Sequence, residues 1–267
     1  MIFDIRTEDK AQETLERLTG IPFNKWEEEL PREREFEYTE DFVESMIQNY
    51  GTRQLPSTYR ELDYVFFHLT TSSDDCISIK RNGILDLKRA YECRDSELRN
   101  FLDIHKIRID IQNCMLFYRG REYDISYGQR PRNTLSEEYK CWSIGRKFYY
   151  DYTICGFLSV WQRTPYAGLV HRRPEILMDI DDLLGTNLSD EWERRCRPFE
   201  IVANVTGKNI CFQGFDDMPE SEKVMTYMTM AYDVATCGCS EKILLLRNGI
   251  QIPPERILEI KPFQIWN

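Results

Sequence analysis

The order of the candidate strands and helices constrains this chain more than any other feature of its sequence. From residue 64 onward, apolar β-branched runs and amphipathic stretches at helical spacing follow one another without a regular strand–helix alternation. That order favours an α+β fold over a doubly wound parallel sheet. Strands are predicted at 64–69, 114–118, 122–127, 152–161, 199–206, 209–213, 242–247 and 257–263. Helices are predicted at 74–82, 95–105, 174–184, 189–195 and 220–236.

The first 58 residues differ from the rest in being densely charged and helical in pattern. The stretch EDKAQETLERLTG has apolar residues at helical spacing and ends in a glycine, Gly20. The stretch TEDFVESMIQNYG repeats this pattern behind a cap formed by Thr39 and Asp41. The sequence therefore predicts a helical N-terminal appendage at 1–58 and a main domain at 59–267.

Composition excludes several classes of protein. A chain of 267 residues, 42% of them hydrophobic, can bury a sizeable core, and its formal charge of −10 argues against a broad basic face for duplex nucleic acid. The nine cysteines form no C-x-x-C pair, so we expect neither a metal site nor a disulfide framework. The charged N-terminus and the short apolar runs predict a cytoplasmic protein without a signal peptide or membrane span.

The segment 118–150 is a local exception to the acidic balance, because it interleaves cations with aromatic residues. The cations are Arg119, Arg121, Arg130, Arg132, Lys140, Arg146 and Lys147. The aromatic residues are Tyr118, Tyr123, Tyr127, Tyr139, Trp142, Phe148, Tyr149 and Tyr150. Such interleaving suits stacking on bases and neutralisation of phosphates. The equal alternative is a loop-rich surface whose tyrosines pack on the core.

His68, one of three histidines in the chain, ends the apolar run of VFFHLTTSS. The hydroxyl residues after it are expected to form a turn and a helix cap, and Asn82-Gly83 is expected to end that helix. A histidine on an apolar strand is most often a hydrogen-bonded core residue. By itself, His68 therefore indicates no function.

Glu241 stands at the start of a predicted strand in CGCSEKILLLRNG. A carboxylate in this position can face a cleft while the strand buries its other residues, although an ordinary glutamate that begins a strand has the same pattern. The segment before it has Val224, Met228, Ala231 and Ala235 at helical spacing. We interpret that segment as a core helix that leads to Glu241.

Together these two segments resemble the ADP-ribosyltransferase superfamily. The strand ending in His-x-Thr and the following SIKRNGI resemble its NAD-binding element, and EKILLL followed by IPPERILEI resembles its glutamate-bearing element. The motifs are most similar to bacterial toxin and anti-phage-defence members, which include DarT-like enzymes. They lie within 64–263 and do not cover the appendage. The resemblance implies a split mixed sheet with flanking helices, NAD as a substrate, and no metal.

The resemblance implies roles for residues of both motifs. Glu241 would be catalytic, because a carboxylate stabilises the oxocarbenium-like ribose that forms when nicotinamide leaves. His68 would contact a ribose of the dinucleotide. Thr70, Thr71 and Ser72 would supply hydroxyl or backbone N–H groups to it.

The resemblance also implies an aromatic residue that stacks on the nicotinamide ring. The stretch DYTICGFLSVWQRTPYAGLV resembles the segment that carries it. Tyr166 is the first candidate, with Phe157 and Tyr152 behind it, and an aromatic core strand is the alternative for each. The arginines considered for the pyrophosphate are Arg81, Arg146 and Arg163.

Cys239 departs from the family pattern. Arginine-specific members carry Glu, and some others Gln, two residues before the catalytic glutamate, so an arginine acceptor is not expected. The expected function is NAD-dependent mono-ADP-ribosyl transfer to a nucleic-acid base or a protein side chain, by a toxin or anti-phage effector restrained by a cognate antitoxin. The alternatives are a non-enzymatic interaction module, with a structural His68 and Glu241, and an RNA 2′-phosphotransferase on the same fold.

Overall fold

The computed structural model of the chain describes residues 1–160, 170–212, 217–238 and 241–263. Its strands, in chain order, are β1 (Ile2–Asp4), β2 (Asp63–Ser72), β3 (Ile107–Asp110), β4 (Met115–Tyr118), β5 (Arg121–Asp124), β6 (Cys155–Ser159), β7 (Arg197–Thr206), β8 (Ile210–Cys211), β9 (Lys242–Leu246) and β10 (Ile257–Pro262). Its α-helices are α1 (Glu8–Thr19), α2 (Phe23–Glu29), α3 (Thr39–Tyr50), α4 (Ile77–Asn82), α5 (Leu87–Glu92), α6 (Glu97–Ile104), α7 (Glu137–Tyr149), α8 (Glu175–Leu184), α9 (Leu188–Arg195) and α10 (Glu220–Cys237).

The strands form two sheets. In the larger sheet the strand order is β10-β7-β2-β6-β9-β8. Strand β1 also belongs to this sheet and pairs in parallel with β2. Strand β6 is antiparallel to both β2 and β9. The smaller sheet is an antiparallel meander of β3, β4 and β5. The α+β prediction is confirmed, whereas the ADP-ribosyltransferase-like split of the sheet stays a prediction.

The chain divides into two units. The first contains 1–68, 155–164 and 202–246, and the second contains 69–154, 165–201 and 247–267. Strands β2 and β7 each contribute residues to both units. The predicted boundary near residue 58 does not coincide with this division.

The N-terminal segment contributes to the aromatic core of the first unit. The Phe3 ring lies 5.2 Å from that of Tyr64 on β2, measured between centroids. The Tyr232 ring on α10 lies 5.6 Å from Trp26 and 5.5 Å from Phe42. The helical prediction for 1–58 is thus confirmed for α1 to α3, and these helices share a core with a later helix.

Two details of the N-terminal prediction are wrong. The segment begins with strand β1 rather than with a helix. A strand of three residues is too short to show the alternating pattern by which strands are predicted from sequence. Helix α3 begins after Tyr38 without a side-chain cap, so Thr39 and Asp41 lie in its first turn and do not cap it. The end of α1 is as predicted, because Gly20 adopts φ 72°, the left-handed conformation that a glycine supplies without strain.

The core of the second unit lies among α5 to α9 and the small sheet. Its largest buried side chains include Tyr91, Phe101, Phe148 and Trp192. Part of this core comes from α7, which was not predicted, because interleaved cations and aromatic residues obscure the helical period at 137–149. The alternative of a loop-rich surface does not hold for these residues. Helix α5 and strand β3 were not predicted.

Disulfides and membrane-spanning helices can be assessed for the described residues alone. No disulfide joins any two cysteines of those ranges. None of the helices in the described ranges combines the length and the apolar content that crossing a bilayer requires.

Candidate functional site

Three neighbouring strands of the first unit place three of the predicted site residues. His68 lies on β2, Phe157 lies on β6, and Glu241 immediately precedes β9. Phe157 is paired with Phe67 on one side and with Ile243 on the other. The strand that bears the histidine and the strand that follows the glutamate therefore flank the same central strand, β6. The predicted start of β9 directly after Glu241 is confirmed.

Strand geometry separates Phe157 from His68. Successive side chains of a strand point to opposite faces, so Phe67 shares a face with its partner Phe157, and His68 lies on the other face. The rings of Phe67 and Phe157 stack at 5.5 Å, and Phe157 is only 3% exposed. This packing argues against Phe157 as the residue that stacks on a ligand held by His68.

The face that carries His68 is closely packed around β6. A Cβ atom added to Gly156 would lie 2.4 Å from the ring of Phe66, which shares this face with His68. Gly156 therefore allows the Phe66 ring to lie directly over the β6 backbone. The absence of a side chain at this position lets β6 approach the histidine-bearing strand closely.

A backbone carbonyl determines which nitrogen of His68 carries the proton. Nδ1 of His68 lies 2.8 Å from the carbonyl oxygen of Cys155, and a carbonyl only accepts hydrogen bonds. Nδ1 therefore donates, and in the neutral ring Nε2 is an acceptor. Burial lowers the pKa of His68 below its ordinary value, partly opposed by the bond to Cys155, and so favours the neutral ring. Within the described residues, Nε2 has no hydrogen-bond partner, and it is suited to accept from a hydroxyl group of a ligand.

We expect His68 to titrate below the ordinary range for histidine. The unfolded ring takes up a proton near a pKa of about 6.5. The folded ring takes it up only at lower pH, so acidification through that interval lowers the free energy of unfolding. An NMR pH titration measures this pKa, with the His68 signal assigned by its loss in His68→Gln. A His68 pKa at or above that of the unfolded chain would contradict the neutral assignment.

Glu241 has an unsatisfied carboxylate oxygen. Its side chain is half-buried, and its Oε2 atom is buried without a hydrogen-bond partner in the described ranges. Lys242 does not neutralise it, because the Lys242 ammonium pairs with Asp233 on α10 at 2.7 Å. Burying an unpaired polar atom costs free energy. A ligand hydroxyl at this position would satisfy that oxygen.

The hydroxyl of Thr71 has a structural partner in the second unit. Its Oγ1 atom accepts a hydrogen bond of 2.7 Å from Nε1 of Trp192, and both residues are buried. Thr70, the residue before it, is half-buried, and its hydroxyl has no partner among the described residues. Of these two threonines, Thr70 is the better candidate for a side-chain contact with a ligand.

We expect Thr71→Val to lower the free energy of unfolding by about 1–3 kcal/mol, because it leaves the buried Trp192 N–H without an acceptor. Thr70→Val is the matched control, and we expect it to change stability little. Urea denaturation followed by circular dichroism measures both variants. Equal stability of the two would show that the bond between Thr71 and Trp192 contributes nothing.

Ser72 stabilises the turn before α4. Its hydroxyl donates to Oδ1 of Asp74 at 2.9 Å and accepts from the backbone N–H of Cys76 at 2.8 Å. Asp75 and Cys76 both have φ 60°, which is uncommon for residues with a side chain. Helix α4 therefore begins only at Ile77, and the predicted start at residue 74 is wrong. The predicted stop is confirmed, since Gly83 follows the last residue of α4.

Of the two remaining stacking candidates, only Tyr152 lies within the described residues. Tyr152 is half-buried in the second unit, and the Lys88 ammonium lies 4.2 Å from its ring centroid. A cation over an aromatic ring at this distance occupies one of its two faces. Tyr166, the first candidate, lies outside the described residues.

Two of the three arginines predicted for the pyrophosphate lie in the described ranges, and each is beside a carboxylate. Arg81 pairs with Asp95 at 2.6 Å, and Arg146 lies 3.8 Å from Asp151. Arg163 lies outside the described residues, as does Cys239. No group of three or more histidine, cysteine, aspartate and glutamate side chains suited to a metal ion occurs in the described ranges.

Comparisons with known proteins add no assignment to these residues. A scan of protein-family models and searches of curated proteins and of solved structures found no significant match to this chain. The resemblance to ADP-ribosyltransferases therefore rests on the sequence motifs. What these residues can do chemically has to be argued from their geometry.

Proposed function

We propose that this chain is an NAD-dependent mono-ADP-ribosyltransferase. The observation that carries the proposal is the carboxylate of Glu241, whose buried Oε2 atom has no partner in the described structure. It precedes a strand two positions away in the sheet from the strand that bears His68. These are the two residues to which the sequence resemblance assigns the reaction.

The proposed reaction breaks the bond between nicotinamide and ribose. The bonding electron pair leaves with nicotinamide, and positive charge develops at C1′ and the ring oxygen of the ribose. The Glu241 carboxylate stabilises this charge and accepts a hydrogen bond from the 2′-hydroxyl. A nucleophile of the acceptor then forms the new bond at C1′ and gives up its proton.

The geometry of His68 fits a ribose contact. Its Nδ1 is bound to the Cys155 carbonyl, so its Nε2 atom, when neutral, accepts a hydrogen bond from a ribose hydroxyl. Thr70 supplies a second polar group, and Tyr166 remains the first candidate to stack on nicotinamide. NAD is a substrate in this scheme, and the acceptor is a nucleic-acid base or a protein side chain. A cytoplasmic toxin or anti-phage role, with a cognate antitoxin, rests on the resemblance alone.

Transfer of label from NAD tests the proposal. The purified chain is incubated with cell lysate and NAD labelled in its adenosine half, and released nicotinamide is quantified. We expect nicotinamide release and label in macromolecules. Nuclease-sensitive label identifies a nucleic-acid acceptor, and protease-sensitive label identifies a protein. A folded chain that releases no nicotinamide would contradict the proposal and favour a non-enzymatic module.

A further inference from the structure

Four aromatic side chains of the second unit form a continuous row of ring contacts, which we call the aromatic ladder. It runs in the order Tyr139, Trp142, Tyr127 and Tyr150. The successive ring centroids are 5.7, 5.8 and 5.6 Å apart, and the successive interplanar angles are 32°, 30° and 23°. The Tyr127 and Tyr150 rings are stacked, and the other two pairs are tilted.

Helix α7 and the segment before it build the ladder together. Tyr139, Trp142 and Tyr150 are spaced so that they lie along one side of the helix and its C-terminal cap. Tyr127 comes from the preceding segment and inserts between Trp142 and Tyr150. Nε1 of Trp142 donates to the carbonyl of Gly128 at 3.0 Å and holds that segment against the helix.

The ladder lies on the side of α7 that does not form the core. The buried residues of this helix are Cys141, Ile144, Gly145 and Phe148. Tyr127 is 39% exposed and Tyr150 is 64% exposed, while Tyr139 and Trp142 are half-buried. Burial in the core therefore does not explain the ladder. Contiguous exposed aromatic surface is typical of a binding site.

An arginine lies against the ladder. The Arg130 guanidinium lies 5.5 Å from the Tyr139 ring and 5.6 Å from the Trp142 ring, and it donates to the Tyr139 hydroxyl at 3.2 Å. The nearby ion pairs of the described residues, Arg121 with Glu137 and Lys140 with Asp182, involve neither Arg130 nor Arg132. The segment 125–136, ISYGQRPRNTLS, contains no acidic residue, although the chain as a whole carries a formal charge of −10.

We propose that the aromatic ladder, together with Arg130 and Arg132, binds single-stranded nucleic acid. Tyr150 ends the ladder and is 64% exposed, so an unpaired base can continue the row of rings by stacking on it. Neighbouring arginines neutralise phosphates of the same strand. Paired bases in a duplex do not present their faces in this way. The row of aromatic rings and the arginine beside it favour this occupant over a protein. The inference does not depend on the proposed reaction with NAD.

Binding of labelled oligonucleotides, without NAD, tests the proposal. Fluorescence anisotropy is measured with short oligothymidine, with oligouridine, and with a duplex of the same length. We expect Tyr127→Ala/Tyr150→Ala to weaken single-strand binding by at least about tenfold, because two stacking rings are lost. Tyr38→Ala is the matched control, since Tyr38 is 63% exposed and lies outside the ladder. Thermal unfolding verifies that each variant is folded.

A second pair of variants tests the charges without altering the rings. We expect Arg130→Gln/Arg132→Gln to weaken binding and to reduce the salt dependence of the affinity by roughly one to two in log–log slope. Arg34→Gln/Arg94→Gln removes the same charge from exposed positions outside the ladder. We expect this control to bind like the wild type.

Specific outcomes would overturn the proposal. These are an absence of single-strand binding, duplex binding of equal strength, and equal losses in the ladder variants and in their matched controls. Tighter binding of oligothymidine or of oligouridine supports it and shows whether DNA or RNA is preferred. Binding of a protein partner that is lost in the ladder variants, with no oligonucleotide binding, would reassign the surface to protein recognition.

Discussion

Glu241→Gln is expected to reduce nicotinamide release and ADP-ribose transfer by at least about 100-fold, while the variant still binds NAD. The amide has nearly the shape of the carboxylate but no charge, so it cannot stabilise a cationic ribose. The Oε2 atom of Glu241 has no partner in the described structure. We therefore expect the substitution to break no internal hydrogen bond and to leave the melting temperature unchanged or higher.

Loss of activity without loss of stability distinguishes a catalytic Glu241 from a structural one. Nicotinamide release measures the chemistry, calorimetric titration measures NAD binding, and thermal unfolding measures stability. Glu27→Gln, at an exposed position of the first unit, is the control for the charge change and should match the wild type in all three. A Glu241→Gln variant that remains active, or that loses activity only by unfolding, would refute the assigned role.

Gly145→Ala is expected to destabilise the second unit by about 1–3 kcal/mol. Within a helix this exchange is ordinarily favourable by roughly 0.5–1 kcal/mol, because glycine loses more backbone freedom on folding. At this position, however, an added Cβ would lie 2.1 Å from the carbonyl oxygen of Ile125. That oxygen belongs to the backbone, so either α7 or the segment that leads to Tyr127 must shift.

Gly128→Ala provides the comparison for this prediction. A Cβ at Gly128 meets no atom within 4 Å, and the residue does not have a positive φ. We expect urea denaturation to show a stability close to that of the wild type for Gly128→Ala and a clear loss for Gly145→Ala. A Gly145→Ala protein at least as stable as the wild type would mean that the close approach of α7 to Ile125 is not needed.

Much of the secondary structure followed from local sequence patterns. The helix at 220–237 and the strand at 242–246 were predicted to within one residue at each end. Val224, Met228, Ala231 and Ala235 are buried, as their helical spacing predicted. Periodicity and terminating glycines are properties of neighbouring residues, so they can be read without knowledge of the fold.

Helix α7 shows where that method fails. Its buried side combines Cys141, Ile144, Gly145 and Phe148, and its other side carries the aromatic ladder. Apolar residues on both sides obscure the helical period, and only packing decides which side becomes the core. The three-residue strand β1 was missed for a related reason, since it is defined by its pairing with β2.

In the candidate site, too, some features could be predicted from the sequence and others depend on the tertiary structure. The sequence by itself identified His68 on an apolar strand and Glu241 directly before another. It placed the end of the first strand too early, because β2 continues through the threonines to Ser72. The sequence did not determine which nitrogen of His68 carries the proton. It also did not show that Phe157 and His68 lie on opposite faces of the sheet, or that the Thr71 hydroxyl accepts a hydrogen bond from Trp192. Each depends on a contact between residues far apart in the chain, 87 positions apart for the bond from His68 to Cys155. Only the tertiary structure brings such groups together, because hydrogen bonding and strand register act through space and leave no periodic trace in the sequence.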